Sequence, residues 1–196
     1  MGAAADCEAI GEGLLRQPIN SITAFAFVAA GLWMVTRTDR RWVGIAVTAT
    51  GFGSFLFHGP MPPAAEWAHD VTLAWLLLVV AGTDTRWERI THLPSLVALG
   101  VIFASVPTIA DPVAVSIALV AIVVRINLDQ STHTWGALSL LAIVALVGRF
   151  GATGWPLCDP DSLFQTHGFW HLGAAAAVIW WATTSRDLGG VFDSQV

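Results

Sequence analysis

Ile19-Asn20-Ser21-Ile22-Thr23-Ala24-Phe25-Ala26-Phe27-Val28-Ala29-Ala30-Gly31-Leu32-Trp33-Met34-Val35 is an apolar run with no acid or base in it, and Arg37, Arg40 and Arg41 close it. A bilayer-spanning helix needs roughly 20 such residues, and a basic cluster at one end marks the cytoplasmic side. Read this way, the stretch is a membrane span, and the rest of the chain follows the same plan. Six further apolar runs are separated by short polar breaks. Gly59-Pro60 with Pro62 and Pro63, Pro107 with Pro112, and residues 148–156 mark the main interruptions. The expectation is an all-α, polytopic seven-transmembrane-helix bundle forming one domain over 1–196. Its spans lie at about 18–36, 41–58, 64–82, 92–107, 109–126, 132–149 and 166–184. An arm, 1–17, precedes the first span, and a tail, 185–196, follows the last. The fourth and fifth runs are the shortest. If both cross or neither crosses, the later spans keep their sides.

Composition agrees. Of 196 residues, 55% are hydrophobic and 12% charged, about half the charged fraction of an ordinary soluble domain. There is no basic face for nucleic acid. Lys is absent, which excludes Schiff-base chemistry. Ten Trp suit interface anchoring, and Trp42, Trp87, Trp155 and Trp181 fall at or near span ends. Arg37, Arg40, Arg41, Arg86, Arg89, Arg125 and Arg186 fall on one side; Arg16 and Arg149 fall on the other. The expected orientation therefore has the N-terminus outside and the C-terminus cytoplasmic. The acidic start, with Asp6, Glu8 and Glu12, lacks the basic region of a cleaved signal peptide. The expected location is the plasma membrane, and the composition suits a prokaryotic gene.

This topology puts Cys7 and Cys158 on the same, oxidising side. A bridge between them would tie the arm to the last loop. The alternative is two free thiols.

Ionisable residues inside spans are costly, so each needs a reason. His58 ends the second span. Glu66, His69 and Asp70 open the third, and His167 and His171 open the seventh. The alternating directions of the spans bring all of them to one end of the bundle. His167 and His171 are one helical turn apart, so both imidazoles share a face and can grip one metal. Ser54 lies one turn from His58. Three histidines suit a catalytic zinc, with Asp70 as a base or as a group orienting water. Other readings of the same residues stay open. His69 can replace His58 as the third ligand, and paired histidines can ligate haem or relay protons. Gly51, Gly53 and Ser54 can simply let helices pack closely. His92 and His133 read as interfacial.

Gly53-Ser54-Phe55-Leu56-Phe57-His58 resembles the SxxxH motif of the superfamily that contains alkaline ceramidases and adiponectin receptors, often called CREST. Trp67-Ala68-His69-Asp70 resembles its next segment, and His167-Gly168-Phe169-Trp170-His171 resembles its HxxxH motif. The ordered set Ser54, His58, Asp70, His167 and His171 covers nearly the whole chain. Cys7-Glu8, Asn20 and Cys158 resemble features of the alkaline ceramidase branch.

The resemblance implies a seven-helix bundle with zinc held by His58, His167 and His171. Water activated by the zinc attacks a lipid amide, Asp70 takes the proton, and Ser54 helps to stabilise the oxyanion. The implied substrate is ceramide or another acylated membrane lipid; no nucleic acid or protein partner is implied. Rival expectations are a lipid esterase or phospholipase on the same scaffold, and an adiponectin-receptor-like sensor with little catalysis.

The chain departs from the branch in its arm. Ala5-Asp6 stands where an Asp-Trp pair that helps to bind calcium is found, and Gln17 stands where an acid is expected. Asp6, Glu8 and Glu12 remain candidates for a second cation, calcium included.

Overall fold

Apolar runs in this chain become helices because a helix satisfies its own backbone hydrogen bonds, and the Gly and Pro clusters stop them. The computed structural model describes residues 2–184; the tail, including Arg186, lies outside the described residues. Eight α-helices are present among them: α1 (Pro18–Arg37), α2 (Arg41–His58), α3 (Ala65–Gly82), α4 (Glu88–Thr91), α5 (Leu93–Ser105), α6 (Ala110–Leu128), α7 (Thr132–Phe150) and α8 (Thr166–Thr184). Two 3-10 turns, Ala3–Asp6 and Pro107–Ile109, complete the elements.

Among the described residues, four segments are long and apolar enough to cross a membrane: Pro18–Arg37, Ala65–Gly82, Pro107–Leu128 and Thr132–Phe150. Helices α2 and α8 fall outside that set and carry Ser54, His58, His167 and His171. The helix found at the expected span 92–107 is shorter than that span. Helix α5 has 13 residues, about 20 Å of helix, and Pro107 begins the turn that follows it. The extra helix α4 was not legible as an apolar run, being a single polar turn, Glu88-Arg89-Ile90-Thr91.

Helix α1 packs against α2 and α8, α2 against α3, and α3 against α5 and α6; α7 packs against α8. Helices α6 and α7 are consecutive yet barely touch. The core between the helices is built from Phe27, Met34, Val47, Trp75, Val79 and Phe103. The outer faces are apolar as well. Val115, Leu119 and Val123 form an exposed stripe on α6, and Ile143 and Leu146 are exposed on α7. Exposed apolar faces of this extent suit lipid better than water.

Two glycines set the helix spacing at the functional end. A Cβ on Gly51 would lie 2.8 Å from the backbone nitrogen of Val28 on α1. One on Gly53 would lie 3.0 Å from the Ala68 carbonyl oxygen and 3.1 Å from the Cα of His69 on α3. Gly53→Val is therefore expected to lower stability by about 1–3 kcal/mol through overpacking, read as a lower thermal midpoint in detergent. An unchanged midpoint would show that α2 and α3 have slack here.

The opposite end is pinned by charge. Arg40 and Arg125 are each only 6% exposed. Both pair with Asp84, at 3.4 and 3.6 Å. The Arg40 guanidinium lies 3.9 Å from the centre of the Trp181 ring, and Arg125 donates to the carbonyl of Thr83. These two arginines are thus folded into the bundle rather than standing free in loops. A charge count along the chain does not show where a long side chain folds back. Between α6 and α7, Asp129 accepts from the Thr134 hydroxyl at 2.6 Å, which holds its carboxyl below the usual value.

Candidate metal centre

His58 is the last residue of α2, and His167 and His171 lie in the first turns of α8. Because α2 and α8 run in opposite senses across the bundle, the three rings meet at one end. Their centroids are 4.8 Å apart for His58 and His167, 5.4 Å for His58 and His171, and 4.6 Å for His167 and His171. Each offers a ligand nitrogen within 4.8 Å of the others. His58 and His171 are buried and His167 is half-buried. Among the described residues, this is the group of His, Cys, Asp or Glu that can hold a metal ion.

The outer hydrogen bonds decide which nitrogen each ring presents. The Gln17 side-chain NH2 donates to the carbonyls of Ala3 and Glu8, at 2.9 and 2.7 Å. Its oxygen therefore faces His58 Nδ1, at 2.7 Å. An amide oxygen only accepts, so Nδ1 carries the proton and Nε2 keeps its lone pair. His167 Nδ1 lies 3.2 Å from Asp6 Oδ1, an acceptor. The Thr23 hydroxyl donates to the helix carbonyl of Ile19 at 2.8 Å, leaving its oxygen to accept from His171 Nδ1 at 3.0 Å. Gln17 and Thr23 thus hold His58 and His171 with the proton on Nδ1, and Asp6 lies against the same nitrogen of His167, an arrangement that suits metal binding through Nε2.

The inward nitrogens fit a metal. His58 Nε2 and His167 Nε2 are buried and have no hydrogen-bond partner. Buried polar atoms are rarely left so. His171 Nε2 accepts from the Ser54 hydroxyl at 2.9 Å. The Asn20 side chain, fully buried on the first turn of α1, also has no partner for its amide nitrogen or oxygen.

The arm is built into this end. Cys7 and Cys158 are joined as a disulfide with Cα atoms 5.5 Å apart, so the free-thiol alternative does not hold. Around the bridge, Thr153 donates from its backbone to Ala5 O at 2.9 Å, and Ala9 N donates to Pro160 O at 3.1 Å. Glu8 is buried, and its two carboxylate oxygens accept from the backbone of Ile19 and Asn20, at 2.7 and 2.8 Å. An acid at this place satisfies free N–H groups at the start of α1. Asp6 faces His167, and Glu12 is exposed. The second cation site considered for Asp6, Glu8 and Glu12 is therefore not assembled among the described residues, because helix capping and the imidazole claim two of the three acids.

Ser54, 1% exposed, lies on α2 one turn before His58, and its hydroxyl meets His171 of α8, a partner that the spacing did not indicate. His69 is not one of the three ligands. Its Nδ1 bonds Asp70 Oδ1 at 2.9 Å, and its ring stacks on Phe57, which packs edge-on to His58. Asp70 is reached from the ligands through these two rings. It also lines a cleft of about 410 Å³ with Glu66, Trp67, Phe103, Pro107 and Asp111. His92 stacks on Trp42, and His133 accepts from Trp180, both away from the ligand group.

A second, apolar groove of about 300 Å³ runs between α3, α6, α7 and α8, lined by Leu76, Ala118, Leu141 and Val178. Its walls include Phe27, Trp170 and Ala174. Phe27 packs edge-on against His171, so one wall residue of the groove touches the histidine group. It lies where α6 and α7 part.

No family model, no curated protein and no solved structure matches this chain.

Proposed function

We propose that this protein is a zinc-dependent intramembrane hydrolase that cleaves the amide bond of a ceramide-like lipid, and that it belongs with the superfamily its motifs resemble. The observation that carries the reading is the meeting of three imidazoles beside a buried serine hydroxyl, with Phe27 between them and an apolar groove. In this reading the chain crosses the plasma membrane seven times, with α5 as a short span and the N-terminal arm outside. Wall residues such as Leu76 and Leu141 take the acyl chain of a membrane lipid, entering where α6 and α7 part.

Zinc at the three imidazoles would supply an acidified water and a Lewis acid for the carbonyl. The chain's own groups do the rest. Gln17, Asp6 and Thr23 hold the imidazoles in one tautomer. The Ser54 hydroxyl donates towards the oxygen on which negative charge develops, the kind of stabilisation that lowers acyl-transfer barriers most. Asp70, on the wall of the cleft, accepts the proton that the attacking water gives up and delivers it to the leaving amine. The wide cleft beside Asp70 lets the polar part of the lipid approach, while the groove keeps the acyl part dry.

Incubation of the detergent-purified protein with a total lipid extract tests this. Release of fatty acid together with a free long-chain amine is expected, and a metal chelator should stop it. Release of lysophospholipid instead would move the activity to esters, since the same site attacks either carbonyl. No released acyl group from zinc-loaded protein would reject hydrolysis and favour a sensor.

A further inference from the structure

Gln17 touches His58 twice. Its backbone N–H donates to the His58 carbonyl oxygen at 2.9 Å, and its side-chain oxygen accepts from His58 Nδ1 at 2.7 Å. The side chain has no other freedom. Gln17 is 0% exposed, and both hydrogens of its amide are used on Ala3 O and Glu8 O. Those two carbonyls flank Cys7, whose disulfide fixes the arm to the loop before α8. The orientation of the amide, and with it the ligating nitrogen of His58, therefore depends on where the arm sits. Leucine would fill similar space but offer no acceptor, and Nδ1 and Nε2 would then compete for the proton.

We propose that Gln17 is a positioning residue that makes the disulfide-tied arm part of the metal centre: the arm orients the Gln17 amide, and the amide sets His58 to present Nε2. This rests on reading the three histidines as a metal site, but not on lipid hydrolysis. The arm thereby becomes a lever on metal affinity. An arm released from Cys158 lets the amide rotate, and His58 loses its fixed tautomer. An outer partner of a metal-binding histidine typically contributes ten- to a hundredfold in affinity, and that is the range expected here.

The test uses the full chain in detergent, above the ordinary imidazole pKa of about 6.5. Two readouts are taken: imidazole nitrogen shifts of metal-free protein, which report tautomers, and zinc affinity by chelator competition. Wild-type His58 is expected as the Nδ1–H tautomer. Gln17→Leu should give a tautomer mixture and roughly ten- to a hundredfold weaker zinc binding. Gln17→Glu presents an oxygen to Nδ1 in either orientation and, protonated, can donate to one of the two arm carbonyls, so the tautomer should stay Nδ1–H. Cys7→Ser should weaken zinc in the wild-type background and add little in the Gln17→Leu background, because the two changes act on one linkage. Gln17→Leu with wild-type tautomer and affinity would overturn the proposal, as would fully additive effects of Cys7→Ser and Gln17→Leu. Should Gln17→Leu fail to fold, Gln17→Glu and Cys7→Ser still decide it: a tautomer mixture in the first or an unchanged affinity in the second overturns it. A wild-type protein that shows the tautomer dependence but binds no zinc supports the Gln17 linkage and rejects the metal reading, so the two failures are distinguishable.

Discussion

His171→Ala is expected to remove zinc from the protein and reduce lipid hydrolysis to background. His171 is 2% exposed and stands between two groups that matter, with Thr23 behind Nδ1 and Ser54 in front of Nε2. Its loss leaves two imidazoles, His58 and His167. Catalytic zinc sites keep three protein ligands and one open position. The fall in affinity should therefore exceed the ten- to hundredfold that an outer partner contributes. Elemental analysis of detergent-purified protein checks this, with about one zinc per chain expected in the wild type and little in the variant. The truncation also opens a cavity beside Phe27, which packs edge-on against the ring. His171→Gln is the companion variant, because it keeps much of the volume and still loses the ring nitrogen. Both variants should retain the Cys7–Cys158 bridge. Zinc at wild-type stoichiometry in His171→Ala would sink the three-histidine site, and the groove would then be the only remaining support for a lipid-handling role.

The helices were legible because their signals are local. Expected spans at 41–58 and 132–149 and observed helices Arg41–His58 and Thr132–Phe150 agree to within a residue, since proline, glycine and charge mark helix ends wherever the fold places them. The meeting of the three histidines was legible for a related reason. Histidines at the ends of α2 and α8 share a level only if the helices alternate in direction, and HxxxH fixes a face. The partners behind the ligands were not legible as a set. Thr23 meets His171 across 148 residues, and Gln17 meets His58 across 41. Periodicity carries no information about such pairs. A weak signal existed in α1: Gln17, Asn20 and Thr23 recur every third residue, a polar face on an apolar helix. The acids of the arm illustrate the converse. Asp6, Glu8 and Glu12 are close in sequence and suggested one shared cation, but Glu8 serves backbone amides of α1 and Asp6 serves an imidazole. Proximity along the chain showed the charge and not its partner. The buried pairing of Arg40 and Arg125 with Asp84 was hidden in the same way, because it joins three separate segments.

Asp70→Asn is expected to leave zinc in place and lower the hydrolytic rate by about 10²–10⁴-fold, the usual contribution of a positioned proton carrier. The structure makes this substitution informative. Asp70 accepts from His69 Nδ1 at 2.9 Å, and an asparagine oxygen can accept the same bond. The side chain is 21% exposed and lines the wide cleft, so the change in charge imposes little packing strain. What is lost is a carboxylate that can take a proton and return it. The metal content should be unchanged because Asp70 is not one of the three residues grouped to hold a metal. Loss of rate with retained zinc would therefore separate proton transfer from metal binding, which no variant of His58, His167 or His171 can do. If Asp70→Asn loses zinc as well, the carboxylate acts on the ligands themselves. If it keeps both zinc and full rate, the proton passes through His69 or bulk water instead. His69→Phe decides between these, since it keeps an aromatic ring against Phe57 and removes both nitrogens. A large rate loss in His69→Phe alone would transfer the proton-carrier role from Asp70 to its neighbour.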